Sequence, residues 1–357
     1  MSEPATQDSQ QPQQRRRNRI FIGTDHFPYI FPSTDVGANA NAIAFKSDDF
    51  QAVLSRAKAA GVENQIITGG SLSESRTAIR VAKENGFYAT IGCHPTRSSE
   101  LTKQPPGQYI NDLDKLISQN LTGPGRCVAV GECGLDYDRL FFSGKEDQKK
   151  AFRAQLTLAK KYHLPLFLHS RAAHLDFVAL LVEAGMHENG GQAVGGRGGV
   201  AHSFTGTIEE MEELVAMGYY ISVNGCSMKT TEQLDMVKRI PLDRLLLETD
   251  APWCSLTGGH ASKEHLTLLP SHLRKLYQPL STQPDRWEEG KAVKGRNEPC
   301  AIGLVAFVVA RLKGISLNEV AEHAWNNTIA CFALNELEIG EGTSTATQST
   351  AAQTTAS

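Results

Sequence analysis

Between polar stretches at its two ends, the chain repeats one pattern. A short apolar run ends in a polar or glycine-rich turn, and a segment with helical periodicity follows. The runs are NQIITGG (64–70), FYATIGCHP (87–95), CVAVGECGLD (127–136), LPLFLHSR (164–171), GVAHSFTG (199–206), YYISVNG (219–225) and RLLLETDAP (244–252). Near-continuous apolar runs mark strands buried on both faces, as in a parallel sheet with helices outside. The intervening segments carry the 3.6-residue period. In 49–61, Phe50, Val53, Leu54, Ala57 and Ala60 fall on one stripe, and in 147–163 Phe152, Leu156 and Ala159 do the same.

These seven runs, with one further strand near the N-terminus, make eight. Eight βα units over about 250 residues predict an α/β fold, a (β/α)8 TIM barrel. A doubly wound open sheet is the alternative, but no GxGxxG turn follows a first strand to favour it. Two segments break the rhythm: a glycine-rich loop at 186–199 and a long excursion at 255–299. Loops of that kind at a barrel's strand ends usually serve function. The expected organisation is a disordered tail at 1–19, an extension at 20–33, one barrel domain at 34–335 and a second disordered tail at 336–357. Arg15, Arg16, Arg17 and Arg19 read as a nuclear signal or, more commonly for such runs, a solvated basic tail.

Composition adds mainly exclusions. The chain has 357 residues, 40% hydrophobic and 21% charged, with a net charge of −3. That is ordinary for a soluble globular protein. It provides no global attraction to nucleic acid, so such contact must come from a local patch or bound metal. The seven cysteines form no CxxC pair and read as reduced thiols, giving the expectation of a cytoplasmic or nuclear protein that is not secreted. No apolar run is long enough to span a bilayer and no signal-peptide core is evident, so no membrane partner is expected.

Candidate chemistry falls at one place in the repeat, the carboxyl end of each run. His94 ends the third strand, Glu132 the fourth, His169 the fifth, His202 the sixth and Asp250 the eighth. In a barrel these ends meet around one mouth. Two imidazoles and two carboxylates form a natural ligand set for Zn²⁺, Mn²⁺ or a mixed site, where one carboxylate can bridge ions while the other orients water. Taken singly, a strand-end His is more often a hydrogen-bonded structural residue, and a Glu after a strand more often a helix cap. Together they are hard to explain as packing, because a charge on an apolar strand is costly unless paired or ligated.

The blocks GECGLDYDR (131–139), LFLHSR (166–171), AHSFTGT (201–207), ETDAPW (248–253) and RNEP (296–299), with ITGG (67–70) and GCHPTR (92–97), resemble the signature blocks of the TatD family of metal-dependent deoxyribonucleases. The likeness is to its eukaryotic TatD DNase domain-containing branch and runs over residues 34–333. It implies a barrel of the metal-dependent hydrolase superfamily and a nuclease, a hydrolase acting on the ester bonds of DNA. It also implies one or two divalent ions per chain (Mg²⁺, Mn²⁺ or Zn²⁺) held by Glu132, His169, His202 and Asp250. Glu132 and Asp250 are then catalytic, with Asp250 as general base to water.

The resemblance further implies a first strand reading D-[IV]-G-x-N, which Asp35-Val36-Gly37-Ala38-Asn39 matches. Period-two geometry places Asp35, Gly37 and Asn39 on one face. The rival stretch, Thr24-Asp25-His26, puts its two polar neighbours on opposite faces and is followed by Pro28 and Pro32, so it is expected on the extension, outside the barrel. Other members of the superfamily carry two His where this chain has Gly37 and Asn39. One firmly held ion is therefore expected, with a weaker second position that Asp35 and Asn39 help to form with Glu132 and the substrate phosphate.

Around these ligands, His94, Arg171 and Arg296 are expected at the substrate phosphate; the plainer readings are a turn-capping His and salt-bridged arginines. His174 and Glu298 are expected in support, Glu298 holding Arg171 or another mouth residue, or acting as an N-terminal helix charge beside Pro299. Trp253 and Trp287, with Lys291, Lys294 and Arg296, offer stacking and phosphate contacts to a single strand or frayed duplex end of DNA. Two alternatives remain: a small-molecule metallohydrolase of the amidohydrolase-like superfamily, and a non-catalytic nucleic-acid binder. Relatives of the first kind show H-x-H on strand one and often a Lys on strand four, where this chain has Gly37, Asn39 and Glu132. The second would be favoured by loss of any one of the four ligands, and all four are present.

Overall fold

The computed structural model describes residues 23–25, 49–288 and 290–339. Eight strands pair in parallel and in chain order: β1 (Gly23–Asp25), β2 (Gln65–Ile67), β3 (Tyr88–Ile91), β4 (Cys127–Asp136), β5 (Leu166–Arg171), β6 (Gly199–Ala201), β7 (Tyr220–Val223) and β8 (Leu245–Leu247). The helices α1 (Phe50–Ala59), α2 (Leu72–Asn85), α3 (Gln108–Ser118), α4 (Lys145–Tyr162), α5 (His174–Glu183), α6 (Ile208–Ala216) and α7 (Thr231–Arg239) alternate with them. This is the (β/α)8 order that the apolar runs predict, and β2 to β8 each fall inside one of those runs.

The sheet has two apolar faces. Ile67, Ala89, Leu166, Leu168, Ala201, Ile221 and Leu247 pack into the large layer that includes the helices. Ile66, Tyr88, Phe167, Val200 and Leu246 form a second cluster on the opposite face, closed by Trp325, Ile329 and Phe332. Those last three belong to α11 (Leu317–Phe332), the final long helix, which lies against β8. Alternation in a strand then dictates where the polar strand ends point. Residues two past Phe167, Val200 and Leu246 are His169, His202 and Glu248; Asp250 is two further on. The inner apolar cluster is the floor beneath the site.

Two helix starts show how sequence sets the loops above that floor. Thr207 and Glu210 form a capping box on α6, and Thr230 and Gln233 form one on α7, satisfying amide groups that a helix start leaves without partners. The excursion after β8 contains α8 (Lys263–Thr267), α9 (Ser271–Tyr277) and a small two-stranded parallel sheet, β9 (Ser281–Thr282) with β10 (Ala292–Val293). The chain then enters α10 (Ile302–Lys313). Among the described residues no single helix is long and apolar enough to cross a membrane.

The ends of the domain differ from expectation. The first strand is Gly23–Asp25, paired in register with Gln65, Ile66 and Ile67, so this stretch belongs to the sheet and not to an extension outside it. Pro28 and Pro32 follow Gly23–Asp25 in the sequence rather than interrupting it, so they do not bar this strand. Asp35 and Asn39, like His26, lie outside the described residues. At the other end, order continues past 335 into α12 (Glu336–Ile339). Glu336 accepts bonds from Arg126 Nη2 and, at 2.9 Å, from the Tyr88 hydroxyl, tying that helix to the start of β3. Burial pushes the Tyr88 hydroxyl pKa well up, and the Glu336 carboxylate adds to the shift.

Candidate metal centre and active site

Glu132 sits where the β4–β5 register slips. Gly131 pairs with Phe167 and Cys133 with Leu168, leaving Glu132 as the extra residue of a bulge. Bulges re-aim side chains, and glycines make this one possible. Gly131 has φ 147°, and a Cβ there would overlap the carbonyl of Phe167. Gly92, at the end of β3, passes so close that its own Cβ would strike the Gly131 backbone. The Glu132 amide donates to Gly69 O at 3.0 Å.

The bulge brings the Glu132 carboxylate under three imidazoles. Its Oε1 lies 2.8 Å from His169 Nδ1, 2.8 Å from His202 Nε2 and 3.3 Å from His94 Nε2. His169 also reaches Asp136 Oδ2 through Nε2 at 3.2 Å. Two overlapping donor groups result: Glu132, His169 and His202, and His94, Asp136 and His169. Glu132, Asp136 and Glu248 are all buried, as is Asp250. Asp136 Oδ1 is buried with no hydrogen-bond partner. Buried carboxylates require compensating positive charge, and in this geometry the imidazoles provide it. Burial alone would lower the pKa of His202, but the Glu132 and Glu248 carboxylates override it and hold the pKa well above the usual value. His169 is raised likewise, against burial, by its bonds to Asp136 and Glu132. Burial would raise Asp136, but its bond to His169 outweighs that and leaves it lowered. A divalent cation fits this donor set: it would meet nitrogen and oxygen donors and take over the charge those protons carry.

Asp250 approaches from β8. Its backbone has φ 54°, and its carbonyl accepts the Trp253 amide at 2.8 Å. It does not join either donor group. Its Oδ2 accepts the Cys254 thiol at 3.1 Å, and Cys254 Sγ is 2.8 Å from Cys226 Sγ. The neighbouring Cys254 draws the Cys226 thiol below its ordinary value, while Cys226, burial and the Asp250 charge push Cys254 up. Glu248, two residues earlier, lies 3.5 Å from His202 Nδ1 and accepts Asn224 Nδ2 at 2.8 Å.

The sequence missed Asp136 and Glu248. Both had a signal. Asp136 ends the run that holds Glu132, and Glu248 opens the ETDAPW block two residues before Asp250. His94 takes the plainer of its two expected roles: its Nδ1 accepts the Thr96 amide at 3.1 Å, capping a turn, while Nε2 faces Glu132 at 3.3 Å. Arg171 pairs with Asp138 at 3.0 Å in an exposed contact and lines a cavity of about 720 Å³ with His174, Phe204 and Thr207. His174 bonds Glu213 of α6 at 2.7 Å.

Three expectations are corrected. Arg296 is not at a phosphate: its side chain is fully buried between Asp49 at 2.8 Å and Glu298 at 3.0 Å. Glu298 holds Arg56 and Arg296 rather than Arg171. Trp287 is tied into its own loop, donating to Lys291 O at 2.8 Å, while Lys291 pairs with Glu288. Trp253 remains exposed beside Asp250.

A parallel (β/α)8 sheet with His and carboxylate donors gathered at its strand ends defines a metal-dependent hydrolase. The model of the TatD related DNase family matches residues 34–333, and the chain belongs to that family. It is 42% identical over 308 residues to a fission-yeast protein called deoxyribonuclease Tat-D, covering 83% of this chain and 94% of that one. It is 34% identical to a 3'-5' ssDNA/RNA exonuclease TatD of Erwinia amylovora, covering 84% and 99%. Among solved structures, a TatD-family hydrolase from Entamoeba histolytica matches with TM-score 0.74 and 30% identity over 88% of this chain and 98% of that one. The family match begins after β1, and takes in Asp35 and Asn39.

Proposed function

We propose that the protein is a metal-dependent nuclease that hydrolyses phosphodiester bonds of DNA, acting on single strands or frayed ends. The observation that carries this reading is the convergence of His169, His202 and His94 on one Glu132 oxygen at the carboxyl ends of parallel strands. The exonuclease name of the bacterial relative supports the single-strand preference. Glu132, His169, His202 and Asp250 would hold the ion, Mg²⁺, Mn²⁺ or Zn²⁺; the group of His94, Asp136 and His169 is an alternative position, because the neutral His169 ring has one lone pair to give. When bound, the ion supplies Lewis acidity, acidifying water and offsetting phosphate charge.

The chain's own residues do the rest. Asp250 orients the attacking water and accepts its proton. His94 and Arg171 face the phosphate from β3 and β5 and neutralise charge that develops on its oxygens. The Arg171–Asp138 pair is exposed on both sides, so releasing the guanidinium to a phosphate costs little. Trp253 offers a nucleobase a stacking surface next to Asp250.

Oligonucleotides labelled at the 3′ or 5′ end, single-stranded and duplex, test this with Mg²⁺, Mn²⁺ or Zn²⁺ present and after chelation. Metal-dependent shortening of the single strand that EDTA abolishes is expected. Cleavage indifferent to EDTA, or none with any ion, contradicts the proposal.

A further inference from the structure

Two of the seven cysteines stand apart from the rest. Cys93, Cys127, Cys133, Cys300 and Cys331 are buried, whereas Cys226 and Cys254 are partly exposed and face each other. They come from different strands' loops. Cys226 lies in the turn Gly225–Met228 after β7, and Cys254 lies beyond β8. Gly225 explains their meeting: a Cβ there would overlap the Cys254 carbonyl and lie 2.9 Å from Leu256 N, so the two loop backbones touch. Each cysteine is tied toward the active site, Cys226 by its backbone amide and Cys254 by its thiol. The Cys226 amide donates to Asn224 Oδ1 at 2.8 Å, and Asn224 in turn holds Glu248. The Cys254 thiol donates to Asp250 Oδ2 at 3.1 Å.

We propose that Cys226 and Cys254 are a peroxide-oxidation site whose disulfide switches off Asp250. The sulfurs stand 2.8 Å apart. Bond formation needs a shift of under about 1 Å. Hydrogen peroxide is the oxidant. The Cys226 sulfur attacks one peroxide oxygen, the O–O bond breaks, and a sulfenic acid and water result. The Cys254 sulfur then attacks the sulfenic sulfur, and the leaving hydroxide takes the thiol proton as a second water. Two thiols and one peroxide give one disulfide and two waters, the sulfurs losing two electrons. The Cys254 proton is then gone. Asp250 Oδ2 faces a sulfur lone pair in place of a donor, and the turn after β7 is tied covalently to the Asp250 loop. A thiol reductant reverses both changes.

The effect on activity rests on the proposed role of Asp250, but the disulfide does not. The test therefore reads both in the full-length Mg²⁺-loaded protein. After peroxide, blocking of free thiols and proteolysis, mass spectrometry is expected to show one cross-linked peptide pair joining Cys226 to Cys254, lost on adding dithiothreitol. DNA hydrolysis is expected to fall at least about tenfold on oxidation and to return on reduction. Cys226→Ser is expected to match the reduced wild type and to keep its activity through the same peroxide treatment. Absence of the cross-link, or parallel inactivation of Cys226→Ser, overturns the proposal. A cross-link with unchanged hydrolysis overturns the control of Asp250. If the reduced wild type cleaves no DNA, the nuclease reading fails, and the cross-link alone decides whether the oxidation site exists.

Discussion

Asp250 occupies a backbone conformation, φ 54°, that few residues other than glycine adopt. Such strain costs on the order of 1–3 kcal/mol and persists only where surroundings enforce it. Here the Trp253 amide bonds its carbonyl, and Asn297 holds the loop on both sides, through Thr249 O and Pro252 O. In this turn the carboxylate accepts the Cys254 thiol. Asp250→Asn keeps that shape and removes the charge and basicity. Turnover is expected to fall by at least about two orders of magnitude. DNA affinity measured by fluorescence anisotropy is expected to fall far less, with a similar salt slope, because the same phosphates are neutralised. An active variant would make Asp250 structural. At this scale the sequence was informative wherever a polar group interrupted an apolar run: His94, Glu132, His169, His202 and Asp250. Asp136 and Glu248 were hidden because each sits beside a more conspicuous residue in the same block. Arg296 was misjudged because a cation in a loop reads as exposed, and no spacing shows that Asp49, far away in the chain, closes over it.

At the scale of elements, Arg296-Asn297-Glu298 joins the start of α1 to the loop after β8. Glu298 accepts two bonds from Arg56 of α1, at 2.7 and 2.9 Å, and one from Arg296. Arg296 is itself fully buried against Asp49. Removing one partner of a buried ion network strands the other charge. Glu298→Ala is expected to destabilise the protein by about 3–5 kcal/mol, read as a large drop in denaturation midpoint, with the ligands at β4 to β6 unmoved. A midpoint change within error would show the network to be solvated. Seven of the eight strands were legible because burial on both faces leaves an unbroken apolar run. The first was not: β1 is three residues long. Its boundary with the following prolines is a matter of position rather than composition.

For the whole molecule, ion binding and proton binding compete. His169 and His202 are raised above the ordinary histidine pKa. In the metal-free protein their protonated forms contribute stability that is complete below about pH 6.5 and is lost as pH rises through the raised values. Metal needs the neutral imidazoles, so its binding releases those protons. The gain in melting temperature on adding Mn²⁺ to EDTA-stripped protein is therefore expected to be small near about pH 5.5 and to grow steadily above pH 6.5. A gain that shrinks with rising pH would place the ion elsewhere. The fold class was legible at this scale because the repeat, its length and the strand-end chemistry all required the same barrel.

Anomalous diffraction at the manganese edge, from crystals grown with Mn²⁺, tests the central claim most directly, that the strand ends hold a catalytic divalent ion. The expected result is a peak in the mouth of the barrel, about 2–2.6 Å from Glu132, His169, His202 and Asp250 donor atoms. A peak away from these residues, or one that leaves Asp250 out of coordination reach, would contradict the account.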